Sequence, residues 1–220
     1  SRTMVSTASL ESELRGKGFS NLCMWSRGVD TNLFRPGSKS LFDLPRPVSL
    51  YVGRVAVEKN HEAVLSQDLP GTKVVVGDGP QLAELKARCP GVRFVGARFG
   101  ADLAAHYAAS DVFVFPSRTD TFGLVMLEAL ACGVPVAAFP VQGPLDVLGR
   151  EAGAGAMSEN LKSAIEQALH ASPSRCRSYA LEYSWQACTD QFLANLTTAV
   201  VQRPERVLVA AAAHQIRPAA

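Results

Sequence analysis

The chain of 220 residues predicts an α/β fold built on a Rossmann-like, doubly wound parallel sheet with helices at its C-terminal end. Three observations predict it. Short β-rich runs alternate with stretches of helical spacing, which is the pattern of right-handed β-α-β units. Several of the β-rich runs are continuously apolar rather than alternating, as suits strands buried on both faces. Glycine and charge collect immediately after those runs, on the edge where such sheets hold ligands.

Taken in order, "VSLYVG" (48–53) reads as a strand, followed by a helix from about His61. "KVVVGDGP" (73–80) is a strand running into a glycine turn, and "QLAELKARC" has helical spacing. "VRFVG" (92–96) is the next strand and "ADLAAHYAAS" the next helix. "DVFVFPS" (111–117) and "VPVAAF" (134–139) are apolar strands flanking a helix that begins at Gly123. From about Ser158 the strand signals stop, and three stretches read as successive helices. Ser158 is expected as the N-cap of the first, and Pro173 in the first turn of the second, after Ser172. The tail after Arg203 is Ala-rich and reads as a weak helix or a loose end. No internal repeat is present.

Composition narrows the function classes. Hydrophobic residues make up 47% and charged residues 19%, enough apolar material for a sizeable core. With 22 basic against 20 acidic residues there is no electrostatic case for nucleic acid. Five separated cysteines form no C-x-x-C pair, so reduced thiols and a cytoplasmic setting are expected. No run approaches the ~18 apolar residues of a membrane span. The N-terminal segment lacks the apolar core of a signal peptide. It begins with Ser rather than Met, and is expected to start inside a longer protein.

Three constellations carry candidate chemistry. In "DTFGLVMLE" (120–128), Thr121 and Phe122 lead into Gly123, where a helix N-terminus offers free N–H groups to phosphate. Glu128 lies five residues further, roughly 7–8 Å along the axis, about the distance from a pyrophosphate to a ribose. Asp120 stands before the helix and would face the opposite side, toward a sugar beyond the pyrophosphate. The alternative is a packing helix with Asp120 as an N-terminal charge and Glu128 as partner to a core polar group. In "YVGRVAVEKN" (51–60), Gly53 ends a strand, and Arg54 and Lys59 could neutralise a diphosphate, one as a planar fork and one as a point charge. The alternative is a solvated turn. In "GDGP" (77–80), Gly77 and Gly79 start a dinucleotide-like fingerprint, but Leu82 stands where its third glycine belongs, which weakens a dehydrogenase reading. The histidines at 61, 106, 170 and 214 share no motif and are expected in surface or packing roles, with no metal site. No nucleophile elbow appears.

Together "GVDTNLFRP" (28–36), "GRVAVEK" (53–59), "GDGP" (77–80), "FVG" (94–96) and "DTFGLVMLEALACGVPV" (120–136) resemble the donor-binding half of retaining glycosyltransferases of family 4, with the GT-B fold. The nearest flavour is that of bacterial mannosyl- and lipid-directed enzymes. The resemblance implies that Gly53, Arg54, Lys59, Gly77 and Gly79 belong to the donor site, with Arg54 and Lys59 on the diphosphate. It implies that Thr121, Phe122 and the backbone amides of Gly123 and Leu124 lie on the same phosphates, and that Glu128 holds the ribose. Ala97 and Arg98 would lie beside the base. Asp120, where the family normally has Glu, is the candidate catalytic position and would orient the transferred sugar.

The substrate implied is a UDP- or GDP-hexose, with no cofactor and no divalent metal. The resemblance further implies that residues 1–30 are the remnant and linker of an N-terminal acceptor domain. Residues 31–182 would be the nucleotide-sugar-binding domain, 183–203 a helix crossing back toward that N-terminal domain, and 204–220 a tail. The acceptor, a sugar or lipid, would be held by the N-terminal domain, with peripheral membrane association open. The alternative function is a nucleotide-sugar-binding module inactive as an isolated chain. A related epimerase or phosphorylase ranks lower, since no suitable acid–base pair is visible.

Overall fold

The computed structural model describes residues 2–149 and 153–201. The unit nearest the N-terminus is β1 (Thr3–Val5), α1 (Ala8–Gly16) and β2 (Leu22–Met24), with β1 and β2 paired in parallel as a two-stranded sheet. Thr7 caps α1 by accepting from Leu10 N at 3.1 Å. A linker then enters the main sheet.

That sheet contains β3 (Val48–Val52), β4 (Thr72–Val76), β5 (Arg93–Gly96), β6 (Val112–Phe115), β7 (Val136–Ala138) and β8 (Gly155–Met157), in the order β5-β4-β3-β6-β7-β8 and parallel throughout. Between them run α2 (Glu62–Leu65), α3 (Leu82–Arg88), α4 (Gly100–Ala109), α5 (Leu124–Ala131) and α6 (Gln142–Leu148). After β8 come α7 (Leu161–Ala168), α8 (Pro173–Leu181) and α9 (Trp185–Val201). The doubly wound α/β sheet expected from the sequence is therefore present.

The continuous apolar runs have the reason assigned to them. All five residues of β3 are buried, and side chains alternate between two cores. Val48, Leu50 and Val52 join Phe113, Leu127, Leu130 and Tyr107 on one face. Tyr51, Val75 and Val114 join Leu85, Leu65 and Ile165 on the other. Fully burying each large apolar side chain contributes roughly 1.5–3 kcal/mol. On the first face, Arg177 of α8 donates to Ala131 O at the end of α5 and to Phe34 O in the linker, both at 2.8 Å. A cation there satisfies carbonyls that the helix leaves open.

Several local expectations are corrected. The helix after His61 is a single four-residue turn, preceded by a 3-10 turn over Val57–Lys59. The N-cap of α7 is Asn160, which accepts from Ser163 N at 3.3 Å, and not Ser158. Ser158 instead accepts from Asn160 N, because β8 runs up to Met157 and delays the helix by two residues. β8 and α6 were not foreseen. Pro173 does occupy the first turn of α8 after Ser172. The tail after Arg203, including His214, lies outside the described residues. All five cysteines are free thiols.

At the junction, α9 packs on β2 and the linker. Trp25 packs against Phe192 with centroids 5.0 Å apart and ring planes tilted by 46°, Asn195 donates to Met24 O at 2.8 Å, and Val29 N donates to Tyr183 O at 2.8 Å. On the far side, Asp146 of α6 accepts from both Ser9 N (3.0 Å) and Ser9 Oγ (2.8 Å) at the start of α1.

Candidate functional site: a trough at the switch point of the sheet

The chain leaves β3 toward β4 and β5 on one side and returns to β6, β7 and β8 on the other. The carboxyl ends of β3 and β6 therefore diverge, and a crevice opens between their loops. One loop is Gly53–Asn60; the other is Pro116–Gly123. Asn60 joins them. It adopts a left-handed conformation (φ 54°, ψ 43°) that Asn tolerates better than most residues, and its Nδ2 donates to Pro116 O at 3.1 Å. Tyr51 supports the first loop by donating its hydroxyl to Arg54 O at 2.9 Å, and its ring meets His61 edge-on at 4.5 Å.

Two adjoining cavities fill the crevice, of about 500 Å³ and about 380 Å³. They share a wall of Val52, Gly53, Arg54 and Val125. The larger adds Arg27, Lys59, Asp120, Thr121, Phe122, Gly123 and Leu124. The smaller adds Gly77, Asp78, Ala97, Arg98, Phe99 and Glu128. Joined end to end they form a trough of the size that takes a small organic ligand.

The start of α5 forms the floor of the trough between the two cavities. Gly123 is its N-cap in a left-handed conformation (φ 82°), and a Cβ there would meet Phe115 at 3.0 Å and Met126 at 2.8 Å. Both the dihedral and the close approach demand glycine. The next N–H groups, of Leu124 and Val125, open the helix without an intrahelical acceptor, at the positive end of its dipole. A second close approach sets the wall of the smaller cavity: a Cβ at Gly77 would stand 1.8 Å from Gly53 O.

The charged groups are arranged in a row. Lys59 Nζ lies 2.6 Å from Asp120 Oδ1, each side chain about one-quarter exposed, and Asp120 Oδ2 is buried with no hydrogen-bond partner among the described residues. Arg54 is two-thirds exposed and reaches Glu58 at 3.8 Å. Glu128 accepts from Tyr107 Oη at 2.8 Å. Burial raises the Glu128 carboxyl above its ordinary range, and the Tyr107 bond offsets part of that rise. Arg98 turns back to Val95 O at 2.8 Å and to Asp102 at 3.5 Å.

Of the residues singled out from the sequence, Gly53, Arg54, Lys59, Gly77, Ala97, Arg98, Asp120, Thr121, Phe122, Gly123, Leu124 and Glu128 all line the trough. Gly79 does not. It packs against the backbone of the first loop, where a Cβ would meet Val55 O at 2.3 Å, so its role is to let the β4 turn close. Lys59 and Asp120, read as facing different parts of a ligand, are bonded to each other. Phe122 is largely core, at 8% exposure.

Arg27, Phe99, Tyr107 and Asn60 were missed. Arg27 carried a signal, standing directly before the "GVD" run. Phe99 had the weaker one of an aromatic inside a polar turn. Among the described residues, no group of three His, Cys, Asp or Glu is placed to hold a metal ion. No helix there is long and apolar enough to cross a membrane.

Comparison with known proteins agrees with this architecture. The family described as glycosyl transferases group 1 matches residues 46–171. A GDP-mannose-dependent alpha-mannosyltransferase of Mycobacterium tuberculosis is 34% identical over 209 residues, which cover 87% of this chain and 55% of that protein. The chain thus spans about half the length of that relative. Among solved structures, sucrose-phosphate synthase from Thermosynechococcus elongatus superposes with a TM-score of 0.76 at 26% identity, over 91% of this chain and 58% of that one. Anabaena Alr3699/HepE, solved in complex with UDP, gives 0.73 at 19% identity over 90% and 64%, which speaks to fold alone. With more than half of the chain matched and its fold that of GT-B glycosyltransferases, the protein belongs to the glycosyl transferases group 1 family.

Proposed function

We propose that this chain is the donor-binding half of a retaining hexosyltransferase and that its trough takes a nucleoside diphosphate hexose. The observation that carries the reading is the order of groups along one crevice. Glu128 lies at one end, the α5 N-terminus with Arg54 in the middle, and Asp120 with Lys59 at the other. Ribose hydroxyls would donate to Glu128, as Tyr107 already does. The diphosphate would accept from the Leu124 and Val125 amides and from Arg54. The hexose would lie against Asp120, with the base beside Ala97, Arg98 and the exposed ring of Phe99. Donors and cations fixed in place before binding stabilise a leaving diphosphate as its charge develops.

The relative named for GDP-mannose favours a guanine nucleotide, with UDP the competing choice. No cofactor or metal is assigned a role, and the acceptor would meet the sugar at the Asp120 end of the trough. Calorimetric titration of GDP and UDP into the 220-residue chain tests the reading, with GDP expected to bind in the micromolar range. Binding of neither nucleotide sinks it. The same protein, assayed for transfer from GDP-mannose, decides between a working enzyme and a module that binds without transfer.

A further inference from the structure

The larger cavity carries three cations, Arg27, Arg54 and Lys59. Lys59 is bonded to Asp120 at 2.6 Å, so that pair is internally neutral. Arg54 has Glu58 at 3.8 Å. Arg27 lines the same cavity, and among the described residues its guanidinium meets no carboxylate or carbonyl. It is a cation at the cavity wall with its hydrogen-bonding capacity unspent.

Its backbone is held on both sides. Ser26 N donates to Gln191 Oε1 at 2.6 Å, and Cys188 Sγ donates to Ser26 O at 3.1 Å. Gly28 lies so close to Trp185 that a Cβ would stand 2.8 Å from the indole ring. The residue between these anchors enters the cavity from a fixed point on the α9 side.

Resting on the donor-site reading above, we infer that Arg27 is a phosphate-binding residue and that it holds the distal phosphate, the one bonded to the transferred sugar. Two observations place it there. Arg54 lines both cavities and so spans the shared middle, whereas Arg27 lines only the cavity that contains Asp120 and Lys59. A nucleoside diphosphate brings two to three negative charges, and the neutral Lys59–Asp120 pair leaves Arg54 too few net positive charges to match them alone. A guanidinium also presents two parallel N–H donors to one phosphate, which a single ammonium cannot.

The test compares diphosphate with monophosphate, using Arg27→Met and Arg27→Lys in the full chain and titrating GDP and GMP. Loss of a charge-assisted hydrogen bond, tempered by solvent exposure, sets the expected loss at about tenfold for GDP in Arg27→Met. GMP, lacking the distal phosphate, should change less than about twofold, and Arg27→Lys should recover part of the GDP loss. GDP binding unchanged in Arg27→Met, or equal losses for GDP and GMP, overturns the assignment while leaving the donor site intact. A wild-type chain that binds neither GDP nor UDP overturns the donor site and this inference together.

Discussion

The Lys59–Asp120 pair offers the sharpest test of how the site is built. At 2.6 Å and an effective dielectric of about 20, the attraction between unit charges is about 6 kcal/mol before desolvation is counted. Exposed pairs retain about 0–1 kcal/mol of such attraction, and breaking a buried pair costs about 3–5 kcal/mol. Both side chains are one-quarter exposed, so a coupling of about 1–2 kcal/mol is expected.

Lys59→Met removes the cation and leaves a carboxylate whose second oxygen is already buried and unpartnered. For a domain of this size its melting temperature should fall by about 3–6 °C. Asp120→Asn keeps the shape and releases the lysine. Urea unfolding of the two single variants and the double variant gives the coupling energy directly. GDP titration adds the functional half: Lys59→Met should bind about tenfold more weakly or worse, whereas Asp120→Asn should bind GDP at least as well as wild type. Asp120→Asn should nonetheless bind a GDP-hexose less well, having lost an acceptor for the sugar. A coupling below about 0.3 kcal/mol, together with unchanged GDP affinity in Lys59→Met, would refute the reasoning.

Glu128→Gln should lower nucleotide affinity by about tenfold or more, because ribose hydroxyls would lose a charged acceptor. Burial raises the folded-state pKa of Glu128, so its contribution to stability is complete at low pH and is lost as pH rises through that raised value. Nucleotide affinity should rise over the same window as the carboxylate ionises. Titrations across pH 4–7 should show that rise in wild type and not in Glu128→Gln; identical profiles would count against the ribose assignment. Gly77→Ala places a methyl 1.8 Å from the backbone oxygen of Gly53, an atom that cannot step aside. It should cost about 2–3 kcal/mol in urea unfolding, and stability within about 0.5 kcal/mol of wild type would show that the two loops are not locked together.

The legibility of this protein differs from element to element. Strands β6 and β7 were readable because burial on both faces forces an unbroken apolar run, which is a property of the strand itself. β8, three residues containing a glycine, is a strand only because β7 pairs with it. α6 begins "QGPL", which reads as a turn. The proline sits within the first helical turn, where its missing N–H costs nothing, and Gly143 passes so close to Asp120 O that a Cβ would stand at 2.6 Å. That constraint is visible only when both segments are in place.

The sequence by itself determined the α/β class, the edge of the sheet that carries the charge, and most of the charged residues that line the trough. Those features are local: apolar periodicity, glycine after a strand, and fixed spacing along one helix. Tertiary structure alone decided which charges meet. Lys59 and Asp120 are 61 positions apart, Tyr107 and Glu128 are 21, and Arg27 reaches the site from outside the sheet altogether. Strand order sets such pairings. Two loops become neighbours because β3 and β6 lie side by side, and an ion pair exists only where the fold brings both ends within a few ångströms.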